Sequence, residues 1–221
     1  MRRVAFRKRL KYIMKRRCNI IFVIGIGGGT ASGKTTITDM LKKHFDSKIT
    51  VITCDNYYYS RDDLDFEQRK KINYDLPDSI EIQRIVEDIR KLRAGNEIYQ
   101  PTFSFKTLLR EEKTIRTSPA SLLVIDGMFL MYFKELRDFC DITVYVDVDS
   151  EVRFARRLIR DTTIHNRPVD FIIDQYLNMA KPMHNIYVEP YKKYADFIIP
   201  FYEDNKRKVS LLIKMIENSI N

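Results

Sequence analysis

The stretch that most constrains this chain is GGGTASGKTT, residues 27–36. Gly28, Gly33, Lys34 and Thr35 satisfy the pattern G-x-x-x-x-G-K-[ST], between an apolar run at 19–26 and a helix-like segment at 35–45. A strand, a tight loop and a helix N-terminus in that order form an anion cradle. The glycines let backbone N–H groups curl around the anion, the lysine reaches the β/γ-phosphates, and the threonine hydroxyl can bind Mg²⁺. Gly28, Gly29, Thr30, Ala31, Ser32, Gly33, Lys34, Thr35 and Thr36 are therefore the expected triphosphate-binding segment. A plain glycine-rich turn needs neither Lys34 nor Thr35, and chance produces the four fixed positions in about one chain in a hundred of this length. A dinucleotide-binding reading of Gly25 and Gly27 fails, because Thr30 stands at the third glycine position.

The remaining pattern alternates. Strands are expected at 48–54, 121–126, 141–148 and 195–200, all rich in buried-type apolar residues. Between them, Ile82, Ile85, Val86, Ile89 and Leu92 recur at helical spacing up to Gly95, with Asp78 and Glu81 spaced as a capping box. Residues 96–118 hold short β-prone pieces, read as a hairpin or small lobe. A helix with Arg153, Arg156, Arg157 and Arg160 on one face starts at Ser150, another covers 169–181, and an amphipathic helix closes the chain. This order predicts a doubly wound α/β domain with a mostly parallel sheet, a small β-hairpin lobe and a helical lid.

Composition sharpens the reading where charge is concerned. The net charge is +9, but residues 1–17 carry nine Lys/Arg and no acid, so the rest of the chain is neutral. The domain behind that tail shows no electrostatic footprint for nucleic acid. Residues 1–18 read as a basic extension before a domain spanning 19–221. Phe6, Leu10, Ile13 and Met14 fall on one side of a helix, so a transit peptide or membrane-surface anchor competes with a solvated tail, or with Met14 as the true start. Cleavage as a signal peptide would sever the loop from its strand. No stretch reaches the length of a membrane span. Cys18, Cys54 and Cys140 and the three histidines show no metal-ligand spacing, and the thiols read as reduced, which fits a cytoplasmic protein.

In an open α/β sheet, ligands bind beyond the carboxyl ends of the strands. Asp55 and Asp126 follow two predicted strands there. One acid suits a magnesium-holding role and the other a proton-accepting role. The arginine face at 153–160 reads equally as a solvated helix surface or as a lid over phosphates.

In order and spacing, GGTASGKTT, CDNYYY, NYDLPDSI, QPTFSF, VIDGMF, VYVDVD, RRLIRD and QYLNMAKPMHNIYVEPYKKYADFIIP resemble the uridine kinase (uridine–cytidine kinase) family over about residues 20–201. The resemblance implies ATP- or GTP-dependent phosphoryl transfer to the 5′-hydroxyl of a pyrimidine nucleoside, as in pyrimidine salvage. It implies Asp55 as general base, with Lys34 and Arg160 acting on the phosphates and Thr35, Asp55 and Asp126 around Mg²⁺. It implies Asp75, Tyr57, Phe103, Phe105, Arg157, Arg167 and Gln175 around the nucleoside, and a homo-oligomer, commonly a tetramer. This chain departs from the family in three places. Asp126 stands where Glu is usual, and PTFSFKTLLR puts Phe103 and Leu108 at the places of a base-reading Tyr and His. The lid reads HNR where R-G-R is usual, keeping only Arg167. Two alternatives stay open: a kinase of the same fold acting on another hydroxyl acceptor, or a catalytically weak nucleotide-binding regulatory protein.

Overall fold

A computed structural model describes residues 21–202 and 206–220; the basic extension lies outside the described residues. Strand β1 (Phe22–Gly28) is buried along its whole length, as a strand covered on both faces must be. It runs two residues past its expected end, so the first glycines of the loop still belong to the sheet. Helix α1 (Lys34–Phe45) and β2 (Ile49–Thr53) follow. The chain then turns through Cys54–Tyr57 into a short helix α2 (Phe66–Lys70), which carries a capping box between Asp65 and Gln68.

The expected capping box at Asp78 does not form. Pro77–Ser79 makes its own single turn, and α3 (Ile82–Arg93) starts with no side-chain cap. Glu81 instead pairs with Arg110 at 2.6 Å, and the stronger ion pair takes the side chain away from the helix end.

The expected hairpin is two antiparallel ribbons, one carried by the other. Strand β3 (Ile98–Gln100) ultimately pairs with β6 (Ile115–Thr117); between them β4 (Phe103–Ser104) pairs with β5 (Leu109–Arg110). The chain continues with β7 (Leu122–Asp126), α4 (Lys134–Phe139), β8 (Ile142–Asp147) and α5 (Ser150–Thr163). The next helix outruns its expected end at 181. After α6 (Val169–Gln175), a wide turn at Tyr176–Ala180 lets the Lys181 N–H reach the Tyr176 carbonyl five residues back. That wider turn carries the helix past Pro182 into α7 (Lys181–Tyr187). Strand β9 (Phe197–Pro200) and α8 (Lys206–Ile220) complete the described chain.

The main sheet has the order β2-β7-β1-β8-β9, and every pairing in it is parallel. Strand residues alternate between two cores. Val23, Leu123, Ile125 and Tyr145 face Ile85, Ile89 and Leu92 of α3. Ile24, Ile26, Val124 and Val144 face Ile37 and Leu41 of α1 and Val209, Leu212 and Ile216 of α8. Helices on both faces leave only the strand ends open for chemistry. Among the described residues, no helix is long and apolar enough to cross a membrane.

Candidate active site

A cleft of about 1000 Å³ opens at the carboxyl ends of β1, β2 and β7. Its floor is the phosphate loop. Gly33 has φ 101° where α1 begins, a left-handed conformation that favours glycine, and an added Cβ would lie 2.4 Å from the Phe201 ring. Lys34 opens α1 and folds back over the loop, donating to the carbonyls of Gly28 (3.0 Å) and Gly29 (2.9 Å). Burial lowers its pKa, while the nearby Asp126 and Asp55 carboxylates work in the opposite direction. Thr30, Ala31, Thr35 and Thr36 line the cleft with Gly33 and Lys34; Gly28, Gly29 and Ser32 are not among its lining residues.

The two strand-end acids meet here. Register places Thr53, Asp126 and Ile26 side by side, and Asp55 follows two residues after Thr53. Asp126 accepts from the Thr38 hydroxyl at 3.2 Å. Burial pushes its pKa up to about 6, and the Asp55 charge adds to that rise while Lys34 opposes it. Burial also raises Asp55, against Lys34 and Arg160. Two desolvated carboxylates therefore face the ammonium of Lys34, beside the Thr35 hydroxyl. This all-oxygen donor set fits a hard divalent cation that shares its remaining coordination with phosphate oxygens and water. No group of three or more His, Cys, Asp or Glu side chains that could hold a metal ion exists among the described residues, so a cation here would need such shared ligands.

The opposite wall carries Arg156, Arg157, Arg160 and Arg167. The arginine face of α5 is not simply solvated: Arg157 is 6% exposed, and Arg153, behind the cleft, 4%. Asp161, 1% exposed, gathers three of the guanidinium groups. It accepts from Arg160 Nε at 2.7 Å and lies 3.4 Å from Arg157 Nε and 4.0 Å from Arg167 Nη1. Arg157 Nη1 lies 3.7 Å from Asp75, whose pKa is raised by burial and lowered by that same arginine. Gln175 Oε1 accepts from Arg157 (3.5 Å) and Arg167 (3.4 Å), and Arg167 Nη2 donates to the Phe105 carbonyl at 3.0 Å. Asp75, Arg157, Arg167 and Gln175, distant in sequence, thus converge on one end of the cleft.

Two expected nucleoside contacts are absent from the cleft wall. Tyr57 is fully buried on the other side of its turn, where its hydroxyl donates to Asp88 at 3.0 Å. Its neighbour Tyr58 takes the wall position, because the tight turn at Cys54–Tyr57 rotates successive side chains away from strand alternation. Phe103 packs behind the wall, 5.2 Å from Tyr58, 5.8 Å from Tyr74 and 5.5 Å from Phe105 between ring centroids. The wall itself is Tyr58, Tyr74, Phe105, Leu108 and His165. The sequence reading missed Asp161, Tyr58, Tyr74 and His165. For Asp161 the signal was present: it lies four residues after Arg157 and next to Arg160.

Residues 23–208 match the family model described as the phosphoribulokinase/uridine kinase family. The chain belongs to that family. A uridine kinase of Staphylococcus haemolyticus is 38% identical over 200 residues, covering 90% of this chain and 97% of the relative. A uridine kinase of Lactobacillus johnsonii is 40% identical over 203 residues, covering 90% and 95%. Among solved structures, a putative fructose transport system kinase from Silicibacter superposes with a TM-score of 0.69 at 16% identity, over 89% of this chain and 98% of that one. That last likeness concerns the fold. The family's donor is ATP, which suits the loop described above.

Proposed function

We propose that this chain transfers the γ-phosphoryl group of ATP, or of GTP, to the 5′-hydroxyl of uridine or cytidine. It is a phosphotransferase of the uridine kinase type. One observation carries the reading: a single cleft joins the phosphate loop and its two acids to Asp75, Arg157 and Gln175 under an aromatic wall. A triphosphate fits the first end. A ribose with a planar base fits the second, where Asp75 would accept from the sugar hydroxyls and Arg157 and Gln175 would fix them.

Asp55 is the proposed general base. It stands between the two ends, and its raised pKa favours accepting the hydroxyl proton. Lys34, once a nucleotide displaces the Gly28 and Gly29 carbonyls, would pair with β/γ-oxygens, and Arg160 would leave Asp161 to stabilise the transferring group. Thr35, Asp55 and Asp126 would hold Mg²⁺, which supplies charge compensation along the triphosphate. Arg167 would steady the Phe105 side of the base site.

Residues 19–221 would act as one kinase domain behind the 1–18 extension. The kinship with bacterial uridine kinases supports a cytoplasmic setting in pyrimidine salvage. Exposed Ile159 of α5, with exposed Ile164 just beyond its end and Leu177 in the wide turn after α6, supports a homo-oligomer, a tetramer by family likeness, which light scattering would test.

The deciding experiment is ATP–Mg²⁺ turnover on uridine, cytidine, other nucleosides and ribulose 5-phosphate. Turnover on uridine and cytidine is expected. Turnover confined to another acceptor would overturn the nucleoside assignment.

A further inference from the structure

The back of the phosphate loop rests on two buried side chains outside the cleft. Gly29 turns its Cα toward them: a Cβ there would lie 2.7 Å from Arg153 Nη1 and 2.9 Å from both Nδ1 and Cε1 of His184. Arg153 is 4% exposed and His184 7%. Arg153 Nε is fixed on the Val148 carbonyl at 3.1 Å, while its Nη1 and the His184 Nδ1 have no hydrogen-bond partner among the described residues. Behind them runs a polar chain. His184 Nε2 lies 3.4 Å from Glu189, which accepts from the Tyr145 hydroxyl at 3.1 Å; Lys192 joins Glu189 (3.4 Å) to Asp147 of β8 (2.7 Å). On its other side, Gly29 gives its carbonyl to Lys34.

We infer that Arg153 and His184 are positioning residues for the donor phosphates: together they form the floor that holds Gly29, and so the loop, in its anion-binding shape. Burying an unpartnered guanidinium donor beside an unpartnered imidazole acceptor is costly, and a core of the same shape made of apolar residues would avoid that cost. The arrangement places a guanidinium charge directly behind the loop. Burial first, and then the Arg153 charge, pushes the His184 pKa down to about 4, against the pull of Glu189, so the imidazole is neutral at pH 7. A neutral ring can lie against the loop beside Arg153 without adding a second charge.

The inference rests on the loop being the ATP site, and the test separates the two. Binding of ATP–Mg²⁺ is measured by calorimetry without nucleoside, and the KM values for ATP and uridine are measured separately. His184→Ala is expected to weaken ATP binding and raise its KM roughly tenfold while the uridine KM stays put. Arg153→Met should do the same and Arg153→Lys should recover part of the loss. His184→Asn, whose amide fills the Nδ1 edge of the ring against Gly29, should hold the ATP KM near wild type. His184→Gln, whose amide follows the Cδ2–Nε2 edge and leaves the edge facing Gly29 empty, should raise it. Should the alanine variant fail to fold, the Asn and Gln pair decides the matter: equal or reversed effects overturn the inference. A wild type that binds ATP, beside a folded H184A that binds equally or loses ATP and uridine affinity alike, overturns this inference alone. A wild type that binds no ATP overturns the functional reading and this inference with it.

Discussion

At the scale of single residues, the cleft divides its charges by task. Asp55 and Asp126 are both raised by burial, yet only Asp126 has a hydroxyl donor, Thr38, holding it in place. Among the described residues Asp55 carries no comparable tether, which suits the proposed role of accepting a proton and releasing it. Asp55→Asn should lower kcat by about 10²–10⁴-fold and leave ATP binding within a factor of about three; an unchanged kcat would remove Asp55 from the base role. Leu108 makes a second residue-scale case. It lines the base end of the cleft with φ 57°, a left-handed conformation more congenial to Asn, Asp or His than to a bulky apolar side chain. Leu108→His should both suit that backbone and offer a hydrogen bond to the base, lowering the uridine KM by roughly three- to tenfold. Steady-state kinetics across uridine and cytidine would check it, and an unaltered KM would show that the base is read elsewhere.

At the scale of elements, α5 is a scaffold for its arginines. Four arginines on a helix repel one another unless something gathers them. Asp161, one turn beyond Arg157, does so for Arg157 and Arg160 from a fully buried position and draws in Arg167 from the following segment, while Arg153 and Arg156 donate to the carbonyls of Val148 and Phe201. Asp161→Asn keeps the shape and deletes the charge. It should cost about 3 kcal/mol of stability, as breaking a buried ion pair does, and raise the uridine KM about tenfold because Arg157 and Arg167 lose their anchor. Thermal melts and kinetics report the two effects separately. A variant with wild-type stability and kinetics would mean that Gln175 and Asp75 alone position the guanidinium groups. Sequence periodicity showed where this helix begins and which residues are charged. It could not show that the charged face points inward, because a solvated arginine face and a buried, compensated one have the same spacing. The same limit explains Tyr57 and Tyr58: in CDNYYY only the turn geometry decides which ring meets the cleft.

At the scale of the whole molecule, titration links stability to the loop's support. The folded-state pKa of His184, about 4, lies below its ordinary 6.5, so between those values the unfolded chain binds more protons. His184 therefore contributes stability that is complete above pH 6.5 and is lost as the pH falls toward 4. Asp126 acts with the opposite sign. Its folded value near 6 exceeds 3.8, so the folded chain binds more protons in that window, and the stability this protonation confers below pH 3.8 is lost as the pH rises through 6. The difference in Tm between wild type and H184N across pH 4–7 isolates the histidine, and wild type should lose more than the variant on acidification. A parallel decline would mean that His184 takes up its proton as readily in the fold as in the unfolded chain. What a residue pattern determines by itself is whatever is local in the chain. The sequence of this protein determined the phosphate loop, the alternation of strands and helices and the acids at the strand ends, because periodicity, glycine freedom and strand burial act over a few neighbouring positions. The tertiary structure alone decided which side chains meet. It brought Asp75 to Arg157, gathered three arginines on Asp161, set Tyr58 rather than Tyr57 on the wall, and slid Arg153 and His184 beneath Gly29. Those pairings depend on how elements far apart in sequence pack together, and on the desolvation that follows, which no spacing rule encodes.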